Sequence, residues 1–479
     1  MFTEQSKRTL TAGVARTIIT PPVGIRMLGY TAQECVSESV ERELTATALV
    51  LTDSLKRVAI LACDIVFIQQ PYADRIRKHI GKNIGIPAAN VLINCSHTHL
   101  GPMLPGWQND TPEQERIQQQ YLESLEESLA NVAMEANSRL QPARIGAGIG
   151  SSPIGINRRE KIDDGGVIIG ENLDGAVDNE VGVIRIDALD GSPIAVVMKA
   201  AAHTVVLGPR TAQLSPDYVG PAREILESAT GAMSLFLQGA AGNVNPSCGI
   251  GRGDDEQYRD LERLGGMLAG EALKTWAQIR THARRGPRQV WQSVATVLVW
   301  NYETLPEAGI EHFDVCEKRL TLPMAPLPDR ETTEHELEGF RLKLADAEQR
   351  GSVADVHIFS RLVAWAEKVL RTIDEGEDPV SLELVFWGLR INEIGIVTVS
   401  GEPFAEIGLE IKGSSPLEHT FFLGYSNGCI GYLPTPDAFG EGGMEVNESC
   451  QNYLLPSTLT PEWGPAIVKT SLEMLERLK

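Results

Sequence analysis

The sequence lacks a long hydrophobic run: within its 479 residues, no stretch approaches the ~18 consecutive apolar residues of a membrane-spanning helix. The N-terminus lacks the basic and then apolar layout of a signal peptide, although earlier removal of such a segment stays open. The 7 cysteines are scattered, and none forms a CxxC pair. We therefore expect a reduced, cytoplasmic protein without stable membrane insertion.

Basic residues are also scarce. Lysine and arginine total 43 against 64 aspartates and glutamates, which gives a formal net charge of −21. Nucleic acids and anionic membranes attract basic surfaces, so this balance argues against both as the main partner. We expect a small-molecule substrate, and assembly into a homo-oligomer is left open.

The pattern of apolar segments predicts a mixed fold. Residues 48–53 and 58–68 predict two strands joined by a tight turn, and other strands alternate with helical patterns. Hairpins combined with βαβ units predict an α/β (α+β mixed) class, with large mixed sheets flanked by helices. Because no repeat and no flexible linker interrupts the chain, we expect a single domain over 1–479, with a helical insertion at 329–377.

The strongest chemical signal is NCSHTHLGP at 94–102, directly after a predicted buried strand. Residues two apart on a strand point to the same side, so His97 and His99 would lie together, as a metal site requires. Two unrelated surface histidines are the alternative. A second predicted strand ends at His203, which strengthens the metal hypothesis.

Two further segments indicate a site. Glu402 follows the predicted strand 394–400 and would open a helix, where it could also be a simple capping acid. The Gly- and Pro-rich segment 424–446 contains Tyr425 and Tyr432. It predicts an ordered loop over a site, with an ordinary surface loop as the alternative.

Three Gly-containing segments resemble motifs of other functions. GYSNG at 424–428 has the GxSxG pattern, but neither a helix signal nor a later histidine follows it, so we reject a serine nucleophile. GAGIG at 146–150 lacks the dinucleotide-binding spacing and predicts a turn. GAAGN at 239–243 could present N–H groups to an anion or form a plain turn.

Taken in order, nine segments resemble the N-terminal catalytic domain of the neutral/alkaline (non-lysosomal) ceramidase family. Members of that family use zinc to cut the N-acyl bond of ceramide. The segments are GVARTIITPPVG…MLGY (13–30), the strand ending in Asp64, NCSHTHLGP (94–102), INRR (156–159), AAHTVV (201–206), SPDYVG (215–220), QGAAGNVNP (238–246), SGEPF (400–404) and SNGCIGYLPTPDAF (426–439).

The resemblance implies a ligand set and catalytic residues. His99 falls on a catalytic histidine of the family, and Arg158 on an arginine that engages the substrate carbonyl or the product carboxylate. One zinc ion per chain would be held by four residues, His97, His203, Glu402 and Tyr432.

The sequence also departs from the family. Asn243 and Asn245 replace an aspartate and a serine, and Met444 stands where the family has a second tyrosine. We expect these three positions to contact substrate. We expect the chain to lack the family's C-terminal immunoglobulin-like domain.

These residues imply a zinc-dependent amidohydrolase of lipid metabolism, in which metal-activated water attacks an amide carbonyl. Arg158 would stabilise the developing oxyanion, and His99 would carry protons. Three alternatives stay open. They are a metal hydrolase of a soluble amide, ester or sugar derivative, an amidohydrolase-superfamily barrel, and a non-catalytic binding protein on the same scaffold.

Overall fold

The computed structural model describes residues 8–30, 36–106, 111–163, 165–251, 255–292, 296–304, 309–376 and 380–479. Cys35, residue 377 of the predicted insertion and residues 293–295 of a predicted strand lie outside these ranges. No helix in the described ranges is long and apolar enough to cross a membrane.

An eight-stranded sheet forms the centre of the molecule. Two of its strand pairs are parallel, and its other pairs are antiparallel, which confirms the mixed sheet predicted from the sequence. In spatial order its strands are Met233–Gln238, Pro193–Ala200, Glu180–Ala188, Gln141–Ser151, Thr11–Ile18, Thr45–Thr52, Arg57–Cys63 and Val91–Cys95.

A second, four-stranded sheet packs against one face of the first. Successive side chains of a strand point to opposite faces, so the strand at 45–52 serves two cores. Its Ala48 and Val50 pack against helices, whereas Leu49 and Leu51 join a cluster with Trp387 and Phe421 of the second sheet. In spatial order the second sheet contains Phe313–Pro323, Ser381–Ile391, Ile394–Val399 and His419–Leu423.

Helices cover the outer faces of both sheets, which gives four layers. The first four helices pack on the large sheet, and the seventh and eleventh pack on the small sheet. The α-helices are α1 Gln70–Ile84, α2 Pro112–Ser138, α3 Val219–Thr230, α4 Asp255–Gln278, α5 Arg330–Arg350, α6 Val353–Glu375, α7 Ala405–Gly413, α8 Pro436–Glu441, α9 Met444–Asn447, α10 Ser449–Asn452 and α11 Trp463–Leu478.

The remaining strands form short ladders outside the two main sheets. A three-stranded ladder contains Val167–Asn172, Gly155–Lys161 and Val244–Pro246. The two-stranded ladders pair Arg8–Thr9 with Gly309–Ile310, Met27–Leu28 with Gly101–Pro102, Ser39–Val40 with Gln213–Leu214, Ala283–Gln292 with Thr296–Thr304, and Glu402–Pro403 with Tyr432–Leu433.

Helices α5 and α6 occupy the region predicted as a helical insertion. Trp365 and Val369 of α6 cluster with Leu337 of α5 and with Cys450 of the C-terminal segment. The indole Nε1 of Trp365 donates a hydrogen bond of 2.8 Å to the carbonyl oxygen of Leu455. The helical pair is therefore docked on the segment around residues 449–455.

The GAGIG segment at 146–150 is a strand, so the turn predicted there is wrong. It lies inside the strand Gln141–Ser151 and pairs with Glu180–Ala188. Helix α4 approaches these glycines closely, and a Cβ atom on Gly146 would lie only 2.7 Å from Cγ2 of Ile279. Glycine is needed here for close helix packing rather than for chain reversal.

A buried ion cluster joins α7 to the large sheet. The carboxylate of Asp178 accepts hydrogen bonds from Lys199, at 2.5 Å, and from Lys412 of α7, at 2.7 Å. Burial alone would raise the pKa of Asp178, but the two ammonium groups lower it to about 2. The cluster fixes the helix that begins just after Glu402.

Candidate metal centre and active site

Three loops meet where strands of the two sheets end. His97 follows the strand Val91–Cys95, His203 follows Pro193–Ala200, and Glu402 follows Ile394–Val399. The sequence predicted these residues at strand ends, but each lies two or three residues beyond the end of the strand that it follows. Helix α7 begins at Ala405 rather than at Glu402, which instead pairs with Tyr432 in a short parallel ladder.

Left-handed backbone, rather than strand alternation, brings the histidines together. His97 has a φ of 65°, and Tyr425, whose ring centroid lies 4.3 Å from that of His97, has a φ of 51°. Such angles are uncommon for residues other than glycine and are maintained by surrounding structure. A bridge between Thr98 and Thr204 holds the two histidine loops against each other.

Buried Asn94 connects this region to the rest of the site. Its side chain accepts a hydrogen bond from the backbone N–H of Gln238 at 2.8 Å and donates one to the carbonyl oxygen of Gly424 at 2.9 Å. The Ser426 hydroxyl is buried and donates to the same Gly424 oxygen at 2.7 Å. This serine is therefore a structural residue, in agreement with rejection of a GxSxG nucleophile.

Two imidazoles and one carboxylate converge on a common point. The Nε2 atoms of His97 and His203 lie 3.2 Å and 3.5 Å from Oε2 of Glu402. Nδ1 of His97 donates to the carbonyl oxygen of Val66 at 2.9 Å, and Nδ1 of His203 donates to that of Ala241 at 2.7 Å. These hydrogen bonds fix both rings with Nε2 directed at the carboxylate, as in metal-binding histidines.

Glu402 provides the clearest sign of a cation site. Its side chain is fully buried, and within the described part of the chain its Oε2 atom has no hydrogen-bond partner. Burial lowers the pKa of His203 to about 4, with a further contribution from Arg158, so this imidazole is neutral at pH 7. Neutral imidazoles beside a carboxylate are a donor set that fits zinc.

Two tyrosines surround the carboxylate. Tyr432 is the ladder partner of Glu402, and burial raises the pKa of its phenol. The hydroxyl of Tyr453 donates a hydrogen bond to Oε1 of Glu402, which leaves Oε2 free for a metal. The rings of Tyr432 and Tyr453 pack edge to face, with centroids 5.8 Å apart. No sequence pattern indicated Tyr453, which lies beyond the Gly- and Pro-rich segment.

His99 faces the same point but is held differently. Its Nε2 lies 3.2 Å from Nε2 of His97, and the three histidines His97, His99 and His203 form a cluster that could hold a metal ion. Burial lowers the pKa of His99 well below its usual value. Among the described residues, its Nδ1 has no hydrogen-bond partner, unlike Nδ1 of the other two.

The backbone of Gly29 passes closely behind His99. A Cβ atom at that position would lie 2.4 Å from Cβ of His99. Tyr30 packs its ring on the imidazole, with centroids 4.9 Å apart. This explains why the MLGY segment, recognised only by resemblance, belongs to the site.

Arg158 is fixed beside the convergence point, and its Nη2 group faces no acceptor among the described residues. Its Nε donates to Glu445 at 2.8 Å, and its Cζ lies 5.2 Å from the centroid of the Tyr432 ring. Burial would lower the pKa of Arg158, but Tyr432 and Glu445 raise it, so the group is charged. In the described structure, its buried Nη2 has no partner and can bind a ligand oxygen.

The site opens into a cavity of about 160 Å³. Asn245 and Met444, two of the three positions expected to contact substrate, line it. Asn243 does not. It accepts a hydrogen bond of 2.8 Å from the N–H of Ala405 and donates one of 2.9 Å to Glu406, so it caps α7.

The GAAGN segment at 239–243 packs beside Glu402 and uses its polar atoms internally. The N–H of Gly242 donates to the carbonyl oxygen of Pro403 at 2.8 Å, and Ala241 accepts the hydrogen bond from His203. This supports a structural turn rather than an anion site. The segment at 424–446, expected to be irregular, contains the short helix α8 and the start of α9.

Comparison with known proteins agrees with this architecture. A neutral ceramidase from Pseudomonas aeruginosa has 16% identity and a TM-score of 0.66, and the match covers 99% of this chain and 75% of that chain. A structure described as ceramidase complexed with C2 has 15% identity and a TM-score of 0.68, over 98% and 75% of the two chains. At such low identity, these likenesses show a common fold.

Sequence comparison gives a second result. No curated protein matches the chain significantly. The sequence profile of the neutral/alkaline non-lysosomal ceramidase N-terminal domain matches residues 10–250, about half of the chain. The chain therefore belongs to the neutral/alkaline non-lysosomal ceramidase family.

Proposed function

We propose that this chain is a zinc-dependent amidohydrolase that cleaves the N-acyl bond of ceramide-type amides. The observation that carries the proposal is the convergence of Nε2 of His97 and Nε2 of His203 on the unpartnered, buried Oε2 of Glu402. An ionised carboxylate oxygen that is buried without a hydrogen-bond donor is costly, and a divalent cation beside Oε2 would offset that cost. Family membership supports the same chemistry.

His97, His203 and Glu402 would hold the zinc ion, with Tyr432 as a fourth, weaker ligand. When bound, zinc supplies an activated water and polarises the carbonyl group. The hydrogen bond from Tyr453 to Oε1 orients Glu402 and favours its ionised form. The carbonyl oxygens of Val66 and Ala241 keep both histidines in the Nδ1–H tautomer.

Two side chains of the site would act on the substrate directly. Arg158 binds the carbonyl oxygen through its free Nη2 and stabilises the negative charge that develops there. The carboxylate of Glu445 accepts one hydrogen bond from Arg158 and one from Arg159, and the first keeps the guanidinium of Arg158 in place. His99, whose Nδ1 is not anchored, carries the proton to the leaving amine.

Apolar side chains make the cavity suitable for an acyl chain. Leu28, Phe67 and Met103 line it, and Ile169 and Ile250, at 45% and 39% exposed, form its rim. Apolar walls bury methylene groups favourably and keep bulk water away from the carbonyl. The cavity therefore favours an N-acyl compound over a small hydrophilic amide.

Hydrolysis of N-lauroyl amides, N-lauroylsphingosine among them, tests this function. We expect release of laurate by the zinc-loaded protein, loss of release after chelation, and recovery when zinc is returned. Lauroyl esters of the corresponding alcohols serve as the comparison. Zinc-loaded protein that cleaves only the esters, or amide cleavage that persists without metal, would overturn the proposal.

A further inference from the structure

The cavity wall has a charge opposite to that of the protein. The chain carries a net charge of −21, yet the lining residues within the described ranges include three arginines and no aspartate or glutamate. One of them, Arg361, lies outside the nine segments that resemble the family. Arg361 and His357 come from α6, one helical turn apart, so they share a face of that helix.

Among the described residues, Arg361 has no hydrogen-bond or ion-pair partner, unlike the other two arginines. Arg158 is paired with Glu445, and Arg26 contacts the imidazole of His357. Arg361 is only 8% exposed, and no hydrogen bond or ion pair joins it to the described residues. Its Nε atom is fully buried and receives no acceptor from the residues that the structure describes. Arginine is rarely buried so deeply unless it is paired.

In the described part of the chain, Glu448 is the acidic group that attracts Arg361, but it is exposed and makes no hydrogen bond to the guanidinium. Burial lowers the pKa of Arg361 to about 10, because its effect is larger than the opposing effect of the negative charge on Glu448. The guanidinium therefore remains charged at neutral pH. A charged, unsatisfied guanidinium in a cavity wall is suited to bind carboxylate, sulfonate or phosphate oxygens.

We propose that the ligands of this cavity are acyl compounds that carry an anionic group, and that Arg361 binds this group. The inference deepens the proposed function, on which its enzymatic part rests, because it specifies a charged N-acyl substrate rather than neutral ceramide. Its binding part stands independently of hydrolysis. The apolar walls would hold the chain, and α6 would supply the selectivity for charge.

Binding is tested first, with ligands that an amidase cannot cleave. Titration calorimetry of the zinc-loaded protein compares 1-octanesulfonate with 1-octanol, which share the same alkyl chain. We expect about tenfold or tighter binding of the sulfonate, since hydrogen bonds to charged groups are among the stronger ones. Arg361→Met should abolish this preference, and Arg361→Lys should keep part of it.

The matched control is Arg371→Met, which removes an exposed arginine from the same helix. It should leave the sulfonate preference unchanged. Should Arg361→Met fail to fold, Arg361→Lys provides the comparison, because it keeps the charge but loses the bidentate geometry. Equal affinity of the wild type for both ligands, or a preference that survives in folded Arg361→Met, would refute the role of Arg361.

Hydrolysis is tested second, with N-octanoyltaurine and N-octanoylethanolamine, which differ only in the sulfonate and hydroxyl groups. We expect a kcat/KM about tenfold or more in favour of the taurine amide, lost in Arg361→Met. Sulfonate-selective binding without cleavage of either amide would contradict the proposed function and keep the anion site. Cleavage of both amides at equal kcat/KM would support the proposed function and contradict the anion site.

Discussion

The His203→Ala variant is expected to lose bound zinc and hydrolytic activity together. The Nδ1 atom of His203 is anchored by a backbone carbonyl, its Nε2 atom faces Glu402, and its ring is completely buried. Loss of an outer partner of a metal ligand already costs about 10–100-fold, so loss of the ligand itself should leave less than about 1% of wild-type activity. Elemental analysis and laurate release on the same preparation measure both effects.

The matched control for this variant is His79→Ala. His79 lies on α1, outside the cavity lining, and its Nδ1 is 3.5 Å from Glu126. This variant should keep its zinc and its rate of hydrolysis. Full zinc occupancy in His203→Ala would show that the metal is held elsewhere.

The His99→Ala variant should separate chemistry from metal binding. If His99 carries protons, removing it should reduce kcat by about 10²–10⁴-fold, the usual contribution of a general acid or base. Zinc content should stay at the wild-type level, because the anchored ligands His97 and His203 are untouched. Steady-state kinetics and metal analysis of this variant decide the matter.

Two outcomes would contradict this role for His99. Loss of zinc together with activity would make His99 a third nitrogen ligand, which the three-histidine cluster also allows. Unchanged turnover with full zinc would make it a bystander. The distinction rests on one structural difference, the unanchored Nδ1 of His99.

Local patterns in the sequence predicted the elements of the fold well. The strands predicted at 48–53 and 58–68 are Thr45–Thr52 and Arg57–Cys63 in the structure, so the second ends before the predicted bound. Both are buried on two faces, one by helices and one by the second sheet. Thr111 caps α2 as its position before Pro112 suggests, accepting a hydrogen bond from the N–H of Gln114. Such signals depend on neighbours in sequence, so sequence alone could predict them.

Long-range contacts account for what the sequence could not predict. Glu445 lies 287 residues from Arg158, and Tyr453 lies 51 residues from Glu402, yet each completes a site hydrogen bond. Arg361 reaches the cavity only because α6 docks on the segment that follows α10. No spacing rule connects such residues.

Strand periodicity indicates the candidate histidines, but a different backbone geometry brings them together in the structure. The HTH motif predicts a strand end, where residues two apart share a face. In the structure the strand ends at Cys95, and the left-handed φ of His97 turns the pair toward Glu402. For Asn243, proximity in sequence was misleading. It lies close in sequence to Asn245 of the cavity lining, but its amide faces α7.

Elemental analysis of protein purified without chelator, beside the His97→Ala variant, determines whether this site holds a metal. Because two histidines and a carboxylate would form a single site, we expect about one zinc ion per wild-type chain and none in the variant. Wild-type protein that contains no metal and cannot be reloaded, or a variant with as much zinc as the wild type, would contradict this expectation.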